Sequence, residues 1–429
     1  MSESPRFHIH NLGCRVNRVE SDSIAAGLIA AGAQPAEPQD AALIIVNTCT
    51  VTAEADSKTR KSVRGLLKRA PQAQVICTGC SAVMNPSFYA ALGPRISVIA
   101  DKDSVLAASC ELLGLDLPPV DAFSRVGTGF MARAGIKVQD GCDNDCSFCI
   151  VRKARGAARF RNRDSIIEEA KTAHVAGVGE LVLTGINLGT YPDLPGLIQD
   201  VLDATAGEPL LRLRFSSIEP QDVSESLLQV MADAGPRVCH YLHMPLQSGC
   251  DRTLTEMNRH YCCADYERIV CACREYLPDL ALACDLMVGF PGESDADFAR
   301  SLAFCERMGF SRMHLFRYSM RPGTPAASRK DQVSAQVKAQ RAEAMHGLAS
   351  RMRRDDQAAR VGAHEFLAVE RVDRQGSALI VKGTLGCFHE GLLTLEHGNL
   401  LPRVGALVPV RIVGLGDDIL LCDCDSDTI

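Results

Sequence analysis

The sequence predicts an α/β protein in three parts: an N-terminal parallel-sheet α/β domain, a partial (β/α)6 barrel, and a small C-terminal β-barrel. Three observations carry this. Residues 6–112 alternate short apolar strands with amphipathic helices. Residues 135–320 run through six strand–helix units. Residues 362–425 lose that alternation and become strands punctuated by glycines. The expected boundaries are 1–113, a linker over 114–134, the barrel over 135–327, a basic helical bridge over 328–361, and the last barrel over 362–429.

In the first part, Phe7–Leu12 alternates apolar and polar residues as a strand with one buried face. Glu20–Ala31 has helical spacing through Ile24, Leu28 and Ile29. Ala42–Val46 reads as a buried strand, Ala53–Arg69 as a helix, and Gln74–Cys77 and Ser97–Ile99 as further strands. Asp103–Leu113 is the last helix, with Asp103 as its N-cap. A β-α repeat of this kind implies a parallel sheet with right-handed crossovers. Pro118, Pro119, Gly127 and Gly129 mark the linker.

The second series has strands expected at Ile136–Gln139, Glu180–Leu183, Leu211–Phe215, Cys239–Leu242, Leu280–Met287 and Arg312–Phe316. Helical patterns at Ser165–Ala176, Gly196–Ala204, Ser224–Ala234, Ala264–Glu275 and Ala296–Met308 separate them. Six such units suit a partial barrel, whose chemistry sits at the carboxyl ends of the strands. Polar residues gather there: Thr184, Gly185 and Asn187, then Ser216, Ser217 and Glu219, then His243 and Gln247, then Asp285. Each alone reads as a cap, a turn or a core histidine; together on one rim they line a pocket. In the last part, Val410–Val413 and Ile419–Cys422 read as strands, with Gly386, Gly391, Gly398, Gly405, Gly414 and Gly416 as turns.

The 429 residues carry nineteen cysteines and a formal net charge of −6. No run of eighteen apolar residues indicates a membrane span, and the polar start of the chain has no signal-peptide pattern, so a cytoplasmic protein is expected. A disulfide framework is not expected there, which leaves metal ligation or catalysis to explain part of the cysteine content. The acidic balance argues against nucleic acid globally, but the basic residues are clustered. Lys58, Arg60, Lys61, Arg64, Lys68 and Arg69 share one helix. Arg152, Lys153, Arg155, Arg159, Arg161 and Arg163 form a run without an acid, and Arg341, Arg351, Arg353, Arg354 and Arg360 a third. Any one run also reads as a solvated face.

Cys142, Cys146 and Cys149 follow the first barrel strand as C-x3-C-x2-C, with Phe148 beside the last thiol. Three thiolates on one loop suit an iron–sulfur cube whose fourth iron stays open. A zinc site, the competing reading, is normally closed by four ligands in paired C-x2-C motifs. Cys14, Cys49 and Cys80 each follow a strand of the first sheet, so a parallel sheet brings all three to one edge. Cys77 competes with Cys80 but lies in the strand body. Three unrelated loop cysteines are the plain alternative.

Cys142, Cys146, Phe148 and Cys149 resemble the cluster loop of the radical S-adenosylmethionine enzymes. Asn11–Asn17, Asn47–Thr52, Thr78–Cys80, Leu183–Asn187, His243–Gly249, Asp285–Glu293 and Tyr318–Ala326 resemble, in order, the motifs of their methylthiotransferase family. Asn47–Arg60 and Leu12–Asn17 look most like the branch acting on threonylcarbamoyladenosine in tRNA; other branches act on isopentenyladenosine or on a ribosomal-protein aspartate. The resemblance implies a radical-SAM barrel and a TRAM-like C-terminal barrel. It implies two [4Fe–4S] clusters, one on Cys142, Cys146 and Cys149 that cleaves S-adenosylmethionine to a radical, and an auxiliary one on Cys14, Cys49 and Cys80 that handles the sulfur. Phe148, Thr184, Gly185, Asn187, Ser217, Gln247 and Asp285 are the expected S-adenosylmethionine contacts. Arg152, Lys153, Arg155 and Arg159 are the expected tRNA phosphate contacts. An electron donor and a sulfur donor are further implied partners. The C-terminal part departs from the family's basic barrel, with five Lys and Arg against ten acids, among them Asp417, Asp418, Asp423, Asp425 and Asp427. A net-acidic barrel is a poor phosphate binder, and the helical bridge before it is the alternative RNA contact.

Overall fold

The computed structural model describes residues 4–50, 53–119, 132–395 and 402–424. Gly127 and Gly129 of the expected linker, Gly398, Asp425, Asp427 and the Val51–Thr52 end of one motif lie outside the described residues. The chain forms two compact units. The first takes its described residues from Met1–Phe130, Asp140–Arg159 and Ser319–Ala327. The second takes them from Met131–Gln139, Phe160–Tyr318 and Ser328–Ile429.

The first unit is built on five parallel strands: β1 (Arg6–Asn11), β2 (Gln34–Pro35), β3 (Leu43–Thr48), β4 (Gln74–Gly79) and β5 (Ile96–Val98), in the order β2-β1-β3-β4-β5. Strand β3 is central and buried along its whole length, as the unbroken run Leu43-Ile44-Ile45-Val46 requires of a strand covered on both faces. Ile44 and Val46 pack with Val63, Leu66, Val75 and Tyr89 on one side. Leu43 and Ile45 pack with Phe7, Leu28 and Ile76 on the other.

Two helices differ from expectation. The first runs Arg15–Ala30, starting five residues before Glu20, because Val16 and Asn17 are already buried. The last runs Val105–Leu113, with Ser104 rather than Asp103 at its N-cap. Asp101 takes the polar role instead, accepting from the Asp103 N–H at 3.2 Å and the Ser104 hydroxyl at 2.5 Å. The expected linker also ends early, since Arg133 already begins a strand.

In the second unit six parallel strands follow one another in chain order: Arg133–Lys137, Glu180–Thr184, Arg212–Phe215, Tyr241–His243, Ala281–Val288 and Arg312–Arg317. Bridges Leu213–Val238 and Ser217–His243 join the third to the fourth. Helices Arg163–Val175, Leu194–Ala204, Glu225–Asp233, Cys263–Tyr276 and Asp295–Met308 connect them. This is the expected partial barrel.

After the helix Ala335–Ala359, five strands close a small barrel: His364–Gln375, Ala378–Thr384, Glu390–Leu395, Leu407–Leu415 and Leu420–Cys424. Its Leu367, Val381, Leu393, Val410 and Ile412 share one apolar cluster with Tyr241 and Ala283 of the parallel strands. A buried ionic group joins them too. Glu180 binds Arg212 Nε at 2.8 Å and Arg214 Nε at 2.7 Å. The two guanidiniums donate onward to the carbonyls of Phe366, Thr384, Leu385 and Gly386 at 2.5–3.0 Å. A charge buried this deeply is tolerated because its donors are met.

Candidate active site: two sets of thiols

The first set is assembled by strand register. Asn11 of β1 is level with Asn47 of β3, and Thr48 of β3 with Gly79 of β4. Cys49 and Cys80 follow those strand ends directly and Cys14 stands three residues past Asn11, on three adjacent strands. Cys14 stands in extended conformation at the N-cap of Arg15–Ala30, exposed; Cys49 and Cys80 are buried. Cys77 lies inside β4, and burial pushes its thiol up to about 12, which makes it a poor thiolate ligand.

Side-chain hydrogen bonds fix this edge. The Asn17 amide donates to Asn47 Oδ1 at 2.9 Å and to the Thr48 carbonyl at 3.0 Å, and Asn47 Nδ2 returns a bond to the Asn17 carbonyl at 2.9 Å. Thr48 Oγ1 donates to the Thr78 carbonyl at 2.6 Å and accepts from the Ala82 N–H at 2.9 Å. Gly79 has φ of 89°, and a Cβ there would sit 2.5 Å from both Asn47 Oδ1 and the Thr48 carbonyl oxygen, so the turn into Cys80 needs glycine. Asp56 accepts from Ser81 Oγ at 2.5 Å and pairs with Arg60 at 2.8 Å, and Arg321 bonds Thr50.

The second set lies in the same unit. Cys142, Cys146 and Cys149 are half-exposed on one loop, as is Phe148. The Cys149 N–H donates to the Cys146 carbonyl at 3.1 Å, and the Val151 N–H to the Cys149 sulfur at 3.4 Å, a bond that favours a thiolate. Gly141, at φ of 72°, would place a Cβ 2.0 Å from the Ala157 carbonyl oxygen. Lys153 bonds the Gly323 carbonyl, Arg152 the Asp143 carbonyl at 3.2 Å, and the Ala326 N–H donates to Ser147 O at 2.8 Å. Each trio offers three soft sulfur ligands on one loop or one sheet edge, a donor chemistry that fits an iron–sulfur cluster.

The basic run after the loop is not uniform. Arg152, Lys153 and Arg159 are exposed. Arg155 differs from the phosphate contact expected of it: only 7% exposed, it binds Asp140 at 2.7 Å, Glu20 at 3.1 Å and Asn17. Its fork is spent inside the unit, on acids that the sequence analysis did not assign.

The second unit gathers the rim residues. Gln139 Oε1 accepts from the N–H groups of Ile186 and Asn187 at 2.8 and 3.0 Å, and the Gly185 N–H donates to Ser216 Oγ at 3.0 Å. Thr184 turns its hydroxyl to the Val182 carbonyl at 3.0 Å. Asn187 donates to Asp222 at 3.0 Å, while its buried Oδ1 has no hydrogen-bond partner. Gln247 holds φ of 63°, a strained left-handed conformation for a residue with a side chain. Ser217 meets His243 Nδ1 at 2.7 Å, and Asp285 Oδ1 lies 3.2 Å from both His243 Nε2 and His314 Nδ1. A carboxylate only accepts, so both imidazoles present N–H to it and the Ser217 hydroxyl donates to His243. Burial opposes the Asp285 charge, but the two imidazoles hold its carboxyl well below the usual range. His314 is a partner the sequence reading missed; its only signal was an inward register beside Asp285.

The Radical SAM superfamily model matches residues 136–305, and that of uncharacterized protein family UPF0004 matches residues 6–100. The threonylcarbamoyladenosine tRNA methylthiotransferase MtaB of Thermotoga maritima is 33% identical over 97% of this chain and 96% of its own. The protein of the same name from Bacillus subtilis is 32% identical over 81% and 80%. A tRNA-2-methylthio-N(6)-dimethylallyladenosine synthase of Chlorobium limicola is 32% identical over 95% of both. Among solved structures, the radical S-adenosylmethionine methyltransferase TsrM of Kitasatospora setae superposes with a TM-score of 0.56 at 15% identity, over 76% of this chain and 77% of that one. At that identity the likeness is one of fold.

Proposed function

The chain belongs to the radical S-adenosylmethionine methylthiotransferase family, and from that premise we propose that it converts N6-threonylcarbamoyladenosine next to the tRNA anticodon to its 2-methylthio derivative. The observation that carries the reading is the presence in one unit of two separate thiol trios, each on a fixed frame. Cys142, Cys146 and Cys149 hold one [4Fe–4S] cluster, and Cys14, Cys49 and Cys80 a second. When bound, the first supplies the electron that cleaves S-adenosylmethionine to a 5′-deoxyadenosyl radical, and the second supplies the sulfur.

The chain's own residues bind and orient. The buried, unpartnered Oδ1 of Asn187 and the Asp285 carboxylate are acceptors for the amino and hydroxyl groups of S-adenosylmethionine. Gly185, Ser217, Gln247 and Thr184 shape the same rim, and Phe148 flanks the loop thiols. Exposed Arg152, Lys153 and Arg159 meet tRNA phosphates. Lys58, Lys61, Arg64, Lys68 and Arg69 give the RNA a second basic face: all are exposed on the helix Ala53–Arg69, while Asp56 points inward. The helical bridge is less suited, since Arg353 bonds the Asp418 carbonyl at 3.2 Å and Arg360 pairs with Asp356 at 2.8 Å. Among the described residues no helix is long and apolar enough to cross a membrane.

Nucleoside mass spectrometry of tRNA from cells with and without the gene tests the reading. Loss of 2-methylthio-threonylcarbamoyladenosine is expected. Loss of the methylthio group from isopentenyladenosine instead would transfer the chain to the branch of its Chlorobium limicola relative, and an unchanged profile would sink both.

A further inference from the structure

Arg155 ends the helix Val151–Arg155, which starts two residues after Cys149. Its Nη2 bonds Asn17 Oδ1, and that oxygen lies 3.8 Å from the Cys14 sulfur. The amide nitrogen of the same Asn17 bonds Asn47 and the carbonyl of Thr48, the residue before Cys49. A short polar chain therefore leads from the cluster loop through Arg155 and Asn17 to the Cys14 thiol and to the main chain just before Cys49. Arginine suits the position because a planar fork reaches Asp140, Glu20 and Asn17 at once; a lysine, with one nitrogen, cannot.

We propose that Arg155 is a positioning residue that ties the two thiol sets together and holds a fixed positive charge beside the sheet-edge trio. This rests on the reading of Cys14, Cys49 and Cys80 as a cluster site. Burial works against the Arg155 charge, but Glu20, the Cys80 and Cys14 sulfurs and Asp140 keep it protonated. Glu20 is also bound by Lys102, and Asp140 lies 3.6 Å from Arg159, so each carboxylate has a second cation besides Arg155. A fixed cation beside a cluster of three thiolates favours its more negative, reduced form and raises its reduction potential. A merely structural ion pair would leave that potential alone.

The test uses the full chain carrying Cys142→Ala, Cys146→Ala and Cys149→Ala, so that the sheet-edge cluster alone reports after anaerobic reconstitution. Redox titration followed by electron paramagnetic resonance then compares Arg155, Arg155→Met and Arg155→Lys. Arg155→Met is expected to move the midpoint to more negative potential and shift the g-values. Arg155→Lys is expected to keep the midpoint near that of arginine. In the chain with all six cysteines, Arg155→Lys is expected to form 5′-deoxyadenosine but at least tenfold less methylthio product. Full iron with unmoved midpoint and g-values in Arg155→Met overturns the proposal alone. If Arg155→Met does not fold, the lysine variant decides, and an unchanged ratio of product to 5′-deoxyadenosine overturns the proposal. Absence of iron from the triple-alanine chain with Arg155 intact overturns the cluster reading first and the proposal with it.

Discussion

The two thiol trios of the first unit are built by opposite means. Cys142, Cys146 and Cys149 are neighbours in sequence, half-exposed, and shaped by a few local bonds around Gly141 and Val151. Cys14, Cys49 and Cys80 are far apart in sequence and share one sheet edge because β1, β3 and β4 lie side by side in register. One site is a property of a loop, the other of a sheet. A loop site fails when its turn is disturbed; a sheet-edge site fails only when the fold around it does.

Removing the ligands separates the trios most sharply. Alanine at Cys142, Cys146 and Cys149 should abolish 5′-deoxyadenosine formation from S-adenosylmethionine. Alanine at Cys14, Cys49 and Cys80 should leave that cleavage in place and abolish the methylthio product. Liquid chromatography with mass detection reads both, and each variant should lose about four iron atoms per chain. Loss of 5′-deoxyadenosine along with the methylthio product from the Cys14, Cys49 and Cys80 variant would erase the distinction.

Thiol reactivity separates them next. In the metal-free protein, alkylation near pH 8 should label Cys14 and the loop thiols well before the buried Cys77. Burial lifts the Cys77 thiol from 9.0 to about 12, so its thiolate is about a thousandfold scarcer at a given pH and appears only as the pH approaches that value. Peptide mapping that found Cys77 labelled as fast as Cys142 would contradict the packing of β4.

Glycine replacement is subtler. Gly141→Ala should reduce iron on the loop trio while changing the melting temperature little, because the clash falls on the loop carbonyl of Ala157. Gly79→Ala meets β3 itself and should cost about 1–3 kcal/mol of stability, visible as a lower melting temperature. The smallest effect is expected on RNA binding. Lys61→Glu with Arg64→Glu should weaken tRNA binding and flatten its salt dependence by about 0.7–0.9 per lost contact. Arg371→Glu, on the C-terminal barrel and already paired with Asp373, should change neither.

The same contrast explains what could be read from the sequence. The strands of the parallel sheets other than β2 were legible because a buried strand is a short apolar run between turn signals, and parallel register follows from the β-α alternation; β2, Gln34–Pro35, is two exposed residues and has no apolar run. The placement of Cys142, Cys146 and Cys149 on one loop was legible as spacing, and that of Cys14, Cys49 and Cys80 at one sheet edge once those strands were placed. Arg155 was not: one residue in a basic run gives no sign that Glu20, far upstream, folds against it. His314 sat unmarked in a strand of mixed residues and gains its meaning only beside Asp285. Three of the five C-terminal strands were missed. Glu365, Glu370 and Arg371 break the apolar pattern of His364–Gln375, and closure into a barrel replaces the apolar continuity that marks an open sheet.

The buried Arg212 and Arg214 bear on how this chain can be shortened or recombined. Four of their acceptors are main-chain carbonyls of the last barrel, between Phe366 and Gly386. A chain cut near residue 361 would leave both guanidiniums with lost partners and bare the apolar side of Tyr241 and Ala283. The C-terminal barrel is therefore not an accessory that evolution or an engineer can add and remove freely. Any exchange must bring replacement carbonyls in the same places, and a truncated chain is expected in the insoluble fraction rather than as a smaller working enzyme.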